Sequence, residues 1–266
     1  MDMNVEEHIL ERAGLYLTQS AAPSCNEDKR MALVEKAMAE IEKILAADPE
    51  NLVAVMLKAQ VLKHSQPDEA IKLYEQSFRL DAAAKSHTAQ LHEAYDQAEA
   101  ARDNGNMAEY ERLVTEYNER SELQRTFMGN DVLLKMKLEY AETLLLSGRN
   151  VLEVISIYQD LFPEDADSTE SERPSVDRRL YSGLSQCAYR LKDYEKALVG
   201  AEAALSINPH FPGAHKLVAV IQEAQGDIAS AIRTMAQGVL YEAPWDTENT
   251  QANIGYLTQL RSSFDD

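Results

Sequence analysis

Small and apolar side chains recur along this chain at steps of three and four, the spacing that lays residues along one stripe of an α-helix. Ala37 with Ile41, Ala70 with Tyr74, Ala197 with Ala201 and Ala231 with Met235 mark such stripes. Over a longer range the pattern repeats itself. Leu184, Ser185, Asp193, Ala197, Ala201 and Ala204 return 34 residues later as Val218, Ala219, Asp227, Ala231, Met235 and Gly238. A repeat of this period is one supersecondary unit that cannot bury its apolar face alone and does so by stacking on its neighbours. The periodicity predicts helices over residues 5–19, 26–47, 52–64, 67–80, 84–103, 107–127, 131–146, 151–161, 176–191, 194–207, 212–225, 228–241 and 247–262. The pair spanning 84–127 reads longer than its neighbours. The last helix, with Ile254, Leu257 and Leu260 on one side, reads as a cap over the open end of the array.

Counted from the turn inside each helix pair, a small residue stands in the middle of the first helix at Ala59, Ala98, Ala141, Ser185 and Ala219. A small side chain there lets the second helix approach closely. Turn chemistry appears at Asn104-Gly105, Ser147-Gly148, Lys192-Asp193 and Gly226-Asp227, and Pro49, Pro209 and Pro244 follow the ends of second helices, where proline cannot continue the coil. These residues resemble the tetratricopeptide repeat family. Two stretches carry the resemblance best: Leu184-Ser185 through Lys192-Asp193-Tyr194-Glu195-Lys196-Ala197 to Ala204 and Asn208-Pro209, and Val218-Ala219 through Gly226-Asp227 and Ala231 to Gly238. The hairpin from Leu52 to Asp81 fits with one residue missing near Gln66-Pro67-Asp68, and Ile41 to Pro49 looks like the second helix of a preceding unit. Two units depart from the pattern, with Tyr110 where alanine is expected after Gly105, and Glu153 or Val154 at that place after Gly148.

The resemblance implies an all-α, right-handed superhelical solenoid of about six helix-turn-helix repeats with a C-terminal capping helix. It divides into divergent hairpins over residues 1–162, an acidic flexible loop over 163–175, and regular repeats plus cap over 176–266. Such an array leaves a long concave surface suited to holding another chain.

Composition narrows the picture further. With 266 residues, 45% of them hydrophobic, the chain can bury a sizeable core. A formal net charge of -19 repels nucleic acid and anionic membrane alike, so neither is expected as a partner, and a basic or apolar protein surface is the better long-range match. Cys25 and Cys187 lie far apart, which argues for two free thiols and a reducing compartment. Met1 to Leu10 carries neither a cationic leader nor an apolar run, and no stretch of about 18 apolar residues occurs. The expectation is a soluble cytoplasmic protein with no membrane insertion, nuclear residence being left open. Between Pro163 and Ser175, Glu164, Asp165, Asp167, Glu170 and Glu172 alternate with Ser168, Thr169 and Ser171, a composition too polar to fold alone. The stretch reads as a solvated linker. The sharper hypothesis is phosphorylation of Ser168, Thr169 or Ser171 by an acid-directed kinase.

Candidate chemistry is sparse. His8, His64, His87, His92, His210 and His215 never fall three or four apart, the spacing that places two metal ligands on one helix face, and neither cysteine lies near them. Glycines are scattered rather than gathered into a phosphate-binding loop, and no serine or cysteine stands in a nucleophile-elbow context. Carboxylate pairs such as Glu6-Glu7 and Glu139 with Glu142 read as a solvated face. No catalytic group, metal or cofactor is expected, and the chain does not read as an enzyme.

What remains is the first-helix surface. Arg179, Ser182, Gln186 and Arg190 follow at steps of three, four and four, one polar stripe with Tyr189 beside it. Lys216, Val220 and Glu223 stand at the equivalent places in the next unit, and Gln60, Lys63 and His64 in the second hairpin. Two guanidinium groups and an amide suit a peptide carboxylate. The competing account is that Arg179 and Arg190 only balance Asp177 and Asp193. One subgroup of the family resembled holds the acidic tail of heat-shock chaperones with a lysine-and-asparagine clamp; Ser182, Gln186 and Leu217 stand at those places here and do not reproduce it. The chain therefore reads as a non-enzymatic adaptor or scaffold that holds a peptide or helix of a protein partner in its groove. The alternatives are a structural subunit of a permanent complex or homodimer, and a heat-shock co-chaperone; the oligomeric state is not fixed by these residues.

Overall fold

The computed structural model describes residues 3–20, 22, 25–121, 126–149, 151–161, 173–242 and 247–265, and among these it contains twelve α-helices and no strand. The helices are α1 (Met3–Ser20), α2 (Glu27–Ala47), α3 (Leu52–Leu62), α4 (Pro67–Asp103), α5 (Met107–Ser121), α6 (Asn130–Leu146), α7 (Val151–Asp160), α8 (Arg173–Arg190), α9 (Tyr194–Ile207), α10 (Pro212–Ala224), α11 (Ile228–Leu240) and α12 (Thr247–Asp265). They fall into two compact units, one of residues 1–20 and 31–133, the other of residues 21–30 and 134–266. The acidic stretch with Ser168, Thr169 and Ser171, and Pro244, lie outside the described residues.

In the first unit, Ile9 and Ala13 of α1 pack on Ile41 and Ile44 of α2 and Ala54 of α3. Asn51 ties this cluster together: its Oδ1 accepts the Ala54 N–H at 3.0 Å as the cap of α3, and its amide donates to Glu6 of α1. Between α3 and α4, Ala59, Ala70 and Tyr74 are fully buried.

Two helices expected over 67–80 and 84–103 are one. α4 runs 37 residues without interruption, about 55 Å at the α-helical rise. Repeat length alone suggested the break, but Ala82-Ala83-Ala84 has the strongest local preference for helix and no glycine or proline intervenes. Asp81, a poor helix former at the expected break, is buried at 4% exposure and fully engaged. Its Oδ1 accepts the Met128 N–H at 2.6 Å and its Oδ2 faces Lys85 Nζ at 2.9 Å. The same bond explains a second correction. The helix expected over 107–127 is described as far as Ser121 and does not include residues 126 and 127, and Met128, buried at 3% exposure, spends its N–H on Asp81 outside any helix.

In the second unit the hairpins α8 with α9 and α10 with α11 stand in sequence, followed by α12. Ala197, Ala201, Val218 and Ile221 form the core between the two hairpins. The small residues predicted to line the close contacts are buried in both units: Ala59, Ala141 and Ala219 are fully so, Ser185 is 1% exposed and Ala98 3%. Their facing partners Ala37, Ala70, Ala197 and Ala231 are at 0%. In α7 the facing position belongs to Val154, with Tyr158 four residues on, both at 0% exposure, while Glu153 is exposed. Tyr158 has room only because α8 presents Gly183 to it: a Cβ there would lie 2.3 Å from the Tyr158 ring. In α5, Tyr110 is half-buried and Leu113 supplies the buried contact. α12 caps the unit through Leu260, at 0% exposure against Ala219, Ala231 and Met235, with Tyr256 and Leu257 beside it. Ile254, expected on this face, is 46% exposed, because steps of three and four back from Leu260 select Tyr256, Leu257 and the buried Asn253 instead.

Four turns close in the same way. Lys192 N–H bonds to the Tyr189 carbonyl at 2.9 Å and Asp193 N–H to that of Ala188 at 2.9 Å; Gly226 and Asp227 do the same to Glu223 and Gln222. Gly105 with Asn106, and Gly148 with Arg149, repeat the pattern, which is the Schellman motif with its left-handed residue. Gly226 takes φ 85°, whereas Lys192 is held at φ 61°. The following aspartates cap the next helix: Asp227 accepts the Ser230 N–H at 3.0 Å and Asp193 that of Lys196 at 3.2 Å.

A side chain at the left-handed position costs about 1 kcal/mol relative to glycine. Lys192→Gly is therefore expected to stabilise the chain by about 1 kcal/mol and Gly226→Ala to destabilise it by about the same amount, read from urea unfolding. Equal midpoints for both variants and the parent would contradict the turn assignment. Asp81→Ala leaves the Met128 N–H buried without its acceptor and should cost roughly 2 kcal/mol in the same measurement.

Candidate protein-binding surface

α8 buries Leu180, Ser185 and Cys187, together with Gly183, and turns Gln186 and Arg190 to solvent, with Arg179, Ser182 and Tyr189 half-buried between them. Lys216 is exposed on α10 and Val220 half-buried. Gln60 and Lys63 are half-buried and His64 exposed at the end of α3.

The two arginines differ. Arg179 is forked onto Glu142 of α6, Nε donating to Oε1 at 2.8 Å and Nη2 to Oε2 at 2.8 Å. Burial works against the charge on Arg179, but the bond to Glu142 and the carboxylate charge outweigh it and raise the guanidinium above its usual range. Arg190 forms no ion pair among the described residues. Asp193, a balancing acid expected from sequence, is taken by Lys196 at 2.9 Å. The side chain of Asp177 lies outside the described residues. Glu139 and Glu142, expected on a solvated face, are not there: Glu139 is buried at 6% exposure and Glu142 is held by Arg179.

Aromatic groups flank the stripe. The rings of Tyr189 and Tyr194 lie 5.8 Å apart. Tyr256 of α12 donates its hydroxyl to Glu223 of α10 at 2.6 Å, and burial, followed by that bond and the Glu223 charge, pushes the Tyr256 phenol up. Arg178 stacks over the Phe211 ring, 4.5 Å from its centroid. Beneath the stripe Cys187 is fully buried, and burial pushes its thiol up to about 11 despite the nearby Arg190 charge, which makes it a packing residue. Periodicity in the sequence reaches the stripe on α8, but not Glu142 or Tyr256, whose bonds span 37 and 33 residues with no local signal.

Chemically, this face offers amide, guanidinium, ammonium and phenol groups on rigid helices, a set of donors for acceptors on another molecule. Among the described residues no group of three or more His, Cys, Asp or Glu could hold a metal ion, and no helix is long and apolar enough to cross a membrane.

No family model and no curated protein matches this chain. Solved structures do. The crystal structure of PilW, a widely conserved type IV pilus biogenesis factor, superposes with a TM-score of 0.51 at 16% identity, covering 95% of this chain and 94% of that one. PilF of Pseudomonas aeruginosa gives 0.50 at 13% identity, covering 98% and 93%. At these identities the likeness speaks for the fold, and the fold is the tetratricopeptide-repeat fold.

A part-buried, two-bond ion pair across neighbouring hairpins should show measurable coupling. In a double-mutant cycle of Arg179→Ala and Glu142→Ala, unfolding free energies are expected to give an interaction of about 1–2 kcal/mol, above that of an exposed pair. Additive effects would show that the fork contributes nothing to folding.

Proposed function

On a tetratricopeptide-repeat fold, we propose that this chain is a non-enzymatic scaffold that holds an acidic or amide-rich segment of a protein partner along the first-helix face of its C-terminal hairpins. Ser182, Gln186, Tyr189, Arg190 and Lys216 make the contacts, and Arg179 lies at the edge of the same stripe. The observation that carries this reading is the exposure of Arg190 and Lys216 without ion pairs among the described residues, in a chain of net charge -19. Exposed cations beside an amide and a tyrosine can orient a carboxylate or a backbone carbonyl by direct hydrogen bonds. An extended segment or one face of a helix would fit such a stripe. Two buried thiols suit a reducing compartment such as the cytoplasm, and the net charge disfavours nucleic acid.

A second reading, a structural subunit or homodimer, draws on Leu146 and Leu152, which flank the Gly148 turn at 57% and 64% exposure. The co-chaperone reading has less support, because Ser182, Gln186 and Leu217 do not form the clamp that the resemblance would require.

Cross-linking in native cells, identification of the cross-linked segment and titration of that segment against purified protein test the proposal. Arg190→Ala with Lys216→Ala is expected to weaken binding by at least about tenfold with unfolding unchanged. Undiminished affinity removes the stripe from the account. Light scattering that shows a stable dimer at submicromolar concentration would favour the structural-subunit reading.

A further inference from the structure

We propose that Glu142 is a specificity gate on this surface, holding Arg179 in an internal ion pair that a carboxylate-bearing segment of the partner must displace. The proposal rests on the binding reading above and adds a residue and a ligand chemistry to it.

Three observations converge on Glu142. The first is accessibility. The Arg179 and Glu142 side chains are 27% and 34% exposed, so the guanidinium is reachable from solvent yet already neutralised by a fork of two 2.8 Å bonds. The second is position. Arg179 opens the stripe that continues through Ser182 and Gln186 to Arg190, so a segment lying on that stripe ends over the fork. The third is the neighbour beneath. The Tyr158 hydroxyl of α7 is buried with no hydrogen-bond partner among the described residues. Its phenol is pushed up first by burial and then by the Glu142 charge, which places it within the field of the same carboxylate; the Arg179 charge acts on it in the opposite direction.

Two pairings of one carboxylate follow. In the resting arrangement Glu142 spends both oxygens on Arg179 and the Tyr158 donor goes unused. When an incoming carboxylate takes the guanidinium fork, Glu142 loses its cation in a partly buried site, where the unpartnered Tyr158 hydroxyl is a buried donor within the field of its charge. A ligand with a single acceptor cannot replace two parallel N–H bonds, so the exchange selects a carboxylate over a carbonyl. Because the gate opposes binding, removing its charge should tighten the complex, which is the reverse of what loss of a contact residue does.

The test uses the full chain and an acetylated, amidated hexaglutamate peptide carrying a fluorophore, read by anisotropy at about 0.15 M salt, where the long-range repulsion of the acidic chain is screened. Glu142→Gln is expected to bind about tenfold more tightly than the parent, and Glu142→Gln with Arg179→Gln to return to the parent value. Tyr158→Phe should weaken the parent about threefold and leave the Glu142→Gln variant unchanged. Glu142→Asp, which keeps the charge and shortens its reach, should fall between parent and Glu142→Gln, and serves if Glu142→Gln melts early by circular dichroism. Equal affinity of parent, Glu142→Gln and Glu142→Asp overturns the gate. Failure of the wider binding reading looks different: Arg190→Ala with Lys216→Ala then binds the peptide as the parent does. Absence of binding by every variant overturns both.

Discussion

Everything on the outside of this molecule depends on how closely paired helices approach on the inside. Ser185 donates its hydroxyl to the Ala197 carbonyl at 2.6 Å, and a Cβ added at Gly200 would meet the Ser185 Cβ at 3.0 Å. Another close approach, in the next hairpin, places Gly238 where a Cβ would lie 3.0 Å from the His215 Cβ. At such distances one added methyl group makes its neighbour give by a few tenths of an ångström. The close contact therefore fixes the rotation of each first helix about its own axis, and with it which residues emerge on the opposite side. Arg179, Gln186 and Arg190 share a face by their spacing, and the bond from Ser185 to Ala197 holds the opposite side of α8 against α9.

That dependence explains what was legible in the sequence. Positions under the tightest steric constraint admit few residue types, so Ala59, Ala141, Ala197, Ala219 and Ala231 stand out by size and spacing alone, and all are fully buried. Turn residues are legible for the same reason, since only a few side chains accept the left-handed backbone at Gly105, Gly148 and Gly226. The misreadings arise where an interaction crosses the chain. At Asp81 the burial of a carboxylate within α4 depends on a bond to Met128, 47 residues away, which no local window contains. Repeat length suggested a break there, and local helix preference prevailed. The cap was read on Ile254 by its hydrophobicity, yet the register set by Leu260 buries Asn253 instead. At the candidate surface the stripe itself was legible, but the state of its leading arginine was not, because Glu142 lies on another hairpin.

Electrostatics sharpens the contrast between the two kinds of cation. Much of the positive charge on the exposed helices is spent locally: Arg112 on Glu109 and Glu116, Arg120 on Glu116, Lys72 on Glu69, each within three or four residues. Pairs like these contribute little to stability and are screened by salt. They do lower the field that an approaching anion would feel. In a chain with 45 acidic and 26 basic side chains, several cations, Lys29, Lys137 and Arg233 among them, have no acid three or four residues away.

Arg190 and Lys216 are both exposed, and they differ in what their own helices gain from them. Arg190 ends α8 where the helix dipole already favours positive charge, so its presence is consistent with helix stability as well as recognition. Lys216 has no such reason. It sits inside α10, two residues before Val218, and its equivalent one repeat earlier is Ser182. A helix-stabilising account would place a lysine there beside an acid three or four residues away, and the residues at those steps are Gly213 and Pro212 moving back, and Ala219 and Val220 moving forward. With no acid at those steps, Lys216 gains nothing from an ion pair within its own helix, and its exposed ammonium is left to solvent or to the partner proposed above.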